Sequence, residues 1–151
     1  MSTRHREGLI SSAQALKPPT STGLLEYSNK REEMAAQVNQ ELAARPDLEK
    51  LVGTDGKRMG EDNNRNFSMF MESILDSFQA ETFVDTALWA FRTYRSHGFH
   101  VSYWPANLNI WVEVLNKNLS QETYHEIAPF YKWLITHIPA FAELTDSFVT
   151  S

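Results

Sequence analysis

Two imidazoles, His97 and His100, flank Gly98 in the segment HGFH, beside an aromatic-rich joint that runs on to Trp104. A metal site on a helix wants histidines four residues apart with a carboxylate nearby, and this pair has neither. The chemistry left to His97 is capping, because a protonated ring at a helix end interacts favourably with the helix dipole. The acidic pairs Glu32-Glu33 and Glu61-Asp62 are adjacent in sequence, so on a helix they do not face each other and read as solvated surface. There is no Gly-rich phosphate loop, no HExxH and no GxSxG. Nothing in the chain calls for catalysis. What it does hold is an apolar, largely aromatic set, Phe67, Phe70, Met71, Phe91 and Trp111, whose helical spacing suits either plain core or the lining of a ligand pocket.

The elements that must position these residues are helices. The 151 residues, 42% apolar and 12% aromatic, suffice for one domain with a sizeable core. A net charge of −5 gives no basic footprint for nucleic acid or an acidic membrane. The absence of cysteine excludes disulfides and thiolate sites and fits a reducing compartment. No apolar run is long enough for a membrane span or a secretory signal, so the expectation is a cytoplasmic protein.

Residues 1–23, rich in Ser and Thr and carrying Lys17-Pro18-Pro19, read as a flexible lead-in in which a short helix could form over Gly8–Leu16. A helix over about 24–44 is marked by Leu25, Met34, Val38 and Leu42. Pro46 opens a short helix to Leu51, and Gly53-Thr54-Asp55-Gly56 is turn chemistry. The next helix spans about 63–78. Another begins at Thr82, with Asp85 as a capping-box partner, and ends before Gly98, a left-handed terminator. Pro105 opens the following helix on a stripe of Leu108, Trp111 and Leu115. Ser120 caps the last, whose inward face is Tyr124, Ile127, Tyr131, Leu134 and Ile138 and which Pro129 should kink or divide. No alternating run suggests a sheet. The fold expected is all-α, with unequal helices and varied loops that suit an irregular domain better than a regular bundle.

The order of these parts resembles bacterial globins and the globin domains of bacterial sensors. The resemblance rests on the corner Gly98-Phe99-His100-Val101-Ser102-Tyr103-Trp104-Pro105, on the helix after it (ANLNIWVEVLNKNL) and on APFYKWLITHI as a last helix. Upstream, 41–51 is similar to a helix end followed by a short proline-started helix, and NFSMFMESIL looks like a distal helix. It covers residues 24 to about 141, within a helical domain placed at 24–148. The first globin helix is merged with the second or missing.

The resemblance implies a haem pocket, with Asn66 at the distal position and a proximal histidine about four residues before Gly98. That position is Tyr94, and Thr93 precedes it. Tyrosinate ligates haem iron in some proteins. Tyr94 would do so if Arg92 or Arg95 stabilised the phenolate; otherwise it is a core tyrosine. A slipped register would make His97 the ligand. The ligand pocket expected is therefore Asn66, Phe67, Phe70, Met71, Phe91, Tyr94 and Trp111, with Tyr94 or His97 on metal only if haem is bound. Three functions follow. The leading one is a sensory or regulatory domain that binds a small apolar ligand or a protein partner, with haem binding lost or altered. The second is a true haem globin for a diatomic gas. The third is a structural module that meets a second copy through exposed aromatics near Trp89, Tyr103 and Trp104.

Overall fold

The computed structural model describes residues 2–146, with side chains from residue 5 onward. Those residues form eight helices and no strand: α1 (Ser2–Ala13), α2 (Ser21–Ala43), α3 (Leu48–Val52), α4 (Lys57–Asp76), α5 (Ala80–Ser96), α6 (Tyr103–Asn118), α7 (Gln121–Thr136) and α8 (Ile138–Thr145). The fold is all-α. No described helix is long and apolar enough to cross a membrane.

The long α2 lies against α4, α6 and α7, and α6 packs on α7. Its buried stripe is Tyr27, Met34, Val38 and Leu42, whereas Leu25 is exposed. At 100° per residue, position 25 lies opposite position 34, so the apolar stripe excludes it. Tyr27 and Tyr131 meet across α2 and α7 through their hydroxyls at 2.6 Å, and burial pushes both phenols up from their ordinary pKa.

The N-termini of α2 and α7 cap one another. Thr20 caps α2 by accepting from the Gly23 N–H, while its own N–H and hydroxyl donate to Glu126 of α7 at 2.9 and 3.0 Å. Ser120 caps α7 as its residue type foretells, and its N–H and hydroxyl donate to Glu26 of α2 at 2.7 and 2.9 Å. The Thr123 hydroxyl gives Glu26 a further bond at 2.7 Å. These bonds, the Thr123 hydroxyl first, hold the Glu26 carboxyl down from 4.5 to about 2 against the opposing effect of burial. A depressed carboxylate stabilises the fold above its unfolded pKa, and that contribution is lost as pH falls through the folded value. Stability should therefore decline between pH 4.5 and about 2 through this group. Glu26→Gln should cost about 2 kcal/mol at neutral pH and flatten that acid limb, as read by urea denaturation across the range.

The N-terminal expectation needs correction. Much of the segment expected to be a flexible lead-in is ordered: α1 is helical over Ser2–Ala13 and docks on α5 and α8. Leu9 and Ala13 are buried, and Arg6 makes a two-pronged ion pair with Asp85 at 2.7 Å on each prong. The carboxylate read as a capping-box partner is thus committed to α1, and α5 starts two residues early, at Ala80. Residues 147–148 of the domain placed at 24–148 lie outside the described residues.

Two proline expectations also shift. Pro105 is the third residue of α6 rather than its first, harmless there because the first four N–H groups of a helix have no partner within it. Pro129 sits inside a continuous α7 and does not divide it. It lies on the exposed face, where the carbonyl that loses its partner meets water, while Ala128, Phe130 and Tyr131 stay buried on the other.

Candidate ligand cavity

The α5–α6 corner sets the geometry. Gly98 takes φ 93°, and the Phe99 N–H bonds back to the Tyr94 carbonyl at 3.0 Å, closing α5 with a left-handed glycine. The turned chain then ties to α3 through His100 N–H to the Leu51 carbonyl at 2.8 Å. This brings Tyr94, Phe99, Tyr103 and Trp104 into ring contact: Tyr94 lies 5.1 Å from Phe99 and 5.9 Å from Trp104. Phe91 stacks on Trp104 at 4.4 Å and on Phe141 at 5.1 Å.

A cavity of about 210 Å³ lies between α4 and α5, floored by α6 and α7. From α4 come Asn63, Asn66, Phe67 and Phe70, spaced i, i+3, i+4 and i+7 on one face. The α5 wall is Ala87, Ala90, Phe91 and Tyr94, with Thr86 and Trp89 beside them. Trp104 and Leu108 of α6 and Leu134 of α7 complete it. On this wall α5 presents the small side chains Ala87 and Ala90, and its backbone approaches α1 and α8 rather than α4. Asn66 and Trp89, both exposed, mark the mouth. No charged side chain lines the cavity among the described residues.

Of the pocket residues expected from the sequence, Asn66, Phe67, Phe70, Phe91 and Tyr94 border this space, while Met71 and Trp111 do not. Met71 is fully buried in the core. Trp111 is turned away by a polar cluster: its Nε1–H donates to Asn64 Oδ1 at 2.9 Å, as does Asn107 Nδ2–H at 2.8 Å. Asn64 in turn donates to Asn39 Oδ1 at 2.8 Å, which joins α4 to α2. Sequence reasoning passed over Asn63, Ala87, Trp104 and Leu108. The signal for Ala87 and Ala90 was present, small residues in the apolar stripe of α5 opposite aromatic ones.

The donor set does not fit haem. Among the described residues no imidazole lines the cavity. His97 is exposed at the end of α5, with Nδ1 at 2.9 Å from the Thr93 carbonyl, so it serves the helix end and does not line the cavity. Burial, with a contribution from Asp62, pushes the Tyr94 phenol up, which favours the neutral hydroxyl over the tyrosinate that iron would need. Arg95, expected as a stabilising cation, points elsewhere: it bonds the Ala142 carbonyl at 2.9 Å and Asp146 at 2.8 Å, joining α5 to α8. Pockets that enclose drug-sized ligands run to about 300–1,000 Å³, and haem is of that size or larger. A cavity of about 150 Å³ holds benzene. At about 210 Å³ this space belongs to the second scale.

The exposed aromatics expected to meet a second copy are also redistributed. Tyr103 and Trp104 are buried, with the Tyr103 hydroxyl accepting from Asn63 Nδ2–H at 2.9 Å; Trp89 alone of the three is exposed, at 58%.

The class defined by fold and site is an all-α domain with an uncharged, aromatic-lined cavity beside its fifth helix. The chain matches no protein-family model, no curated protein and no solved structure.

Proposed function

We propose that this protein is a sensory or regulatory globin-like domain that binds a small apolar molecule in the α4–α5 cavity and has no use for haem. The observation that carries the reading is the cavity itself, aromatic and uncharged, between the helices that correspond to distal and proximal in the globin resemblance. The helix order supports that resemblance, with α2 across α4 and α6, and α6 on α7. So does the glycine-closed corner that carries Tyr94 at the proximal position. The absence of cysteine suits a cytoplasmic setting. Regulation follows from what holds the cavity wall. α5 is carried by the terminal helices α1 and α8, through Arg6 to Asp85 and Arg95 to Asp146, so a ligand that moves α5 acts on both ends of the domain.

Visible absorption after expression with haem supplied tests the haem part. The expected result is no stoichiometric Soret band. A stoichiometric band that disappears in Tyr94→Phe or His97→Ala would overturn the reading in favour of a haem globin.

A further inference from the structure

The wall of the cavity is mostly apolar, Asn66 and Thr86 aside, and at its corner end it carries the Trp104 indole N–H and the Tyr94 hydroxyl. Trp104 Nε1–H is buried without a hydrogen-bond partner, although the residue is only 3% exposed and lines the cavity. The Tyr94 hydroxyl also has no hydrogen-bond partner among the described residues, and its ring lies 5.9 Å from that of Trp104. The two share one end of the space, since both pack against the Phe99–Tyr103 corner. A buried polar group without a partner costs about 1–3 kcal/mol, and native proteins leave few of them. The buried Trp104 Nε1–H beside the cavity marks a place where an acceptor belongs, and the Tyr94 hydroxyl at the same end can share it. Asn63 completes this end, its Nδ2–H already committed to the Tyr103 hydroxyl.

The chemistry of the acceptor is constrained. With no cation on the wall, a carboxylate or phosphate would enter as an unpaired buried charge, which is far more costly than a neutral oxygen. The remaining surface, Phe67, Phe70, Phe91 and Leu108, takes an apolar and preferably planar body. We propose that the cavity selects a compact, neutral, apolar molecule bearing one hydrogen-bond-accepting oxygen, such as an aryl ketone, which Trp104 Nε1–H and the Tyr94 hydroxyl receive at the corner end. This inference rests on the ligand-binding reading above and adds the polarity of the ligand and its orientation.

Acetophenone and isopropenylbenzene have nearly the same shape and differ in a carbonyl oxygen against a methylene. Both are titrated into the full chain, with affinity read by calorimetry and the Trp104 indole N–H followed by NMR. The expected result is that acetophenone binds about tenfold more tightly and shifts the Trp104 indole N–H downfield. Trp104→Phe should lose that preference while still binding isopropenylbenzene, and Tyr94→Phe should reduce it. Equal affinities with an unmoved indole resonance would overturn the proposal and leave the cavity reading standing, a buried water then satisfying Trp104. Binding of neither probe would overturn both. If Trp104→Phe does not fold, the wild-type indole shift and Tyr94→Phe still decide the matter.

Discussion

Asn64→Leu is expected to destabilise the protein by about 3–5 kcal/mol, though leucine nearly matches the volume lost. Asn64 is fully buried, and its amide is the hub of three hydrogen bonds. Its oxygen receives both Asn107 Nδ2–H and Trp111 Nε1–H, and its nitrogen supplies Asn39. Leucine removes the partner of two buried donors at once, in a setting too dry for water to replace it. The cost is the desolvation of those donors, not the loss of a contact area. In urea denaturation the midpoint should fall with an unchanged slope, the signature of altered stability without altered compactness. Replacing Asn107 by Leu in the same chain should return part of the loss, because one orphaned donor then disappears. A loss below about 1 kcal/mol for Asn64→Leu would show that the cluster does not hold α2, α4 and α6 together.

Phe83→Ala should cost about 3–5 kcal/mol, by the mechanism of a cavity left in a core that relaxes only partly. Phe83 is fully buried and ties α5 to the body of the domain, with ring centroids 6.2 Å from Phe70, 6.0 Å from Phe78, 6.2 Å from Phe130 and 5.4 Å from Trp133. The backbone of α5 stays close to α1 and α8 rather than α4, and this aromatic node anchors it by side chains to α4 and α7. The loss should therefore be uneven. Amide exchange in α5 should rise before that in α2 or α6, as expected when one cooperative unit is loosened. Uniform acceleration across all helices would contradict the role given to Phe83.

What was legible in the sequence is what local chemistry decides. Gly98 marked a left-handed helix end and Ser120 a cap because both signals act within a few residues. Of the five pocket residues that border the cavity, Phe67, Phe70 and Phe91 were readable from apolar helical spacing, while Asn66 and Tyr94 were expected from the globin resemblance. The failures are non-local. Arg6 and Asp85 lie 79 residues apart, and nothing near either announces that α1 will dock on α5. Trp111 and Met71 belong to the same apolar pattern as the pocket residues, and only packing decides which aromatics face a space and which face the core. The run Asn63-Asn64-Arg65-Asn66 read as a helix start. In the structure it lies in the first half of α4, with Asn64 in the core, Asn63 on the cavity wall and Asn66 at the mouth. Register alone separates those three amides.

The central claim is that a small apolar molecule occupies the α4–α5 cavity, and calorimetric titration of toluene into the wild type and into Ala87→Phe tests it most directly. Ala87 is on the wall, so a phenyl ring placed there fills the space that toluene would take. The account predicts one toluene per wild-type chain, and none in an Ala87→Phe protein that keeps its helical circular dichroism. Absence of binding to the wild type, or undiminished binding in the filled variant, would contradict it.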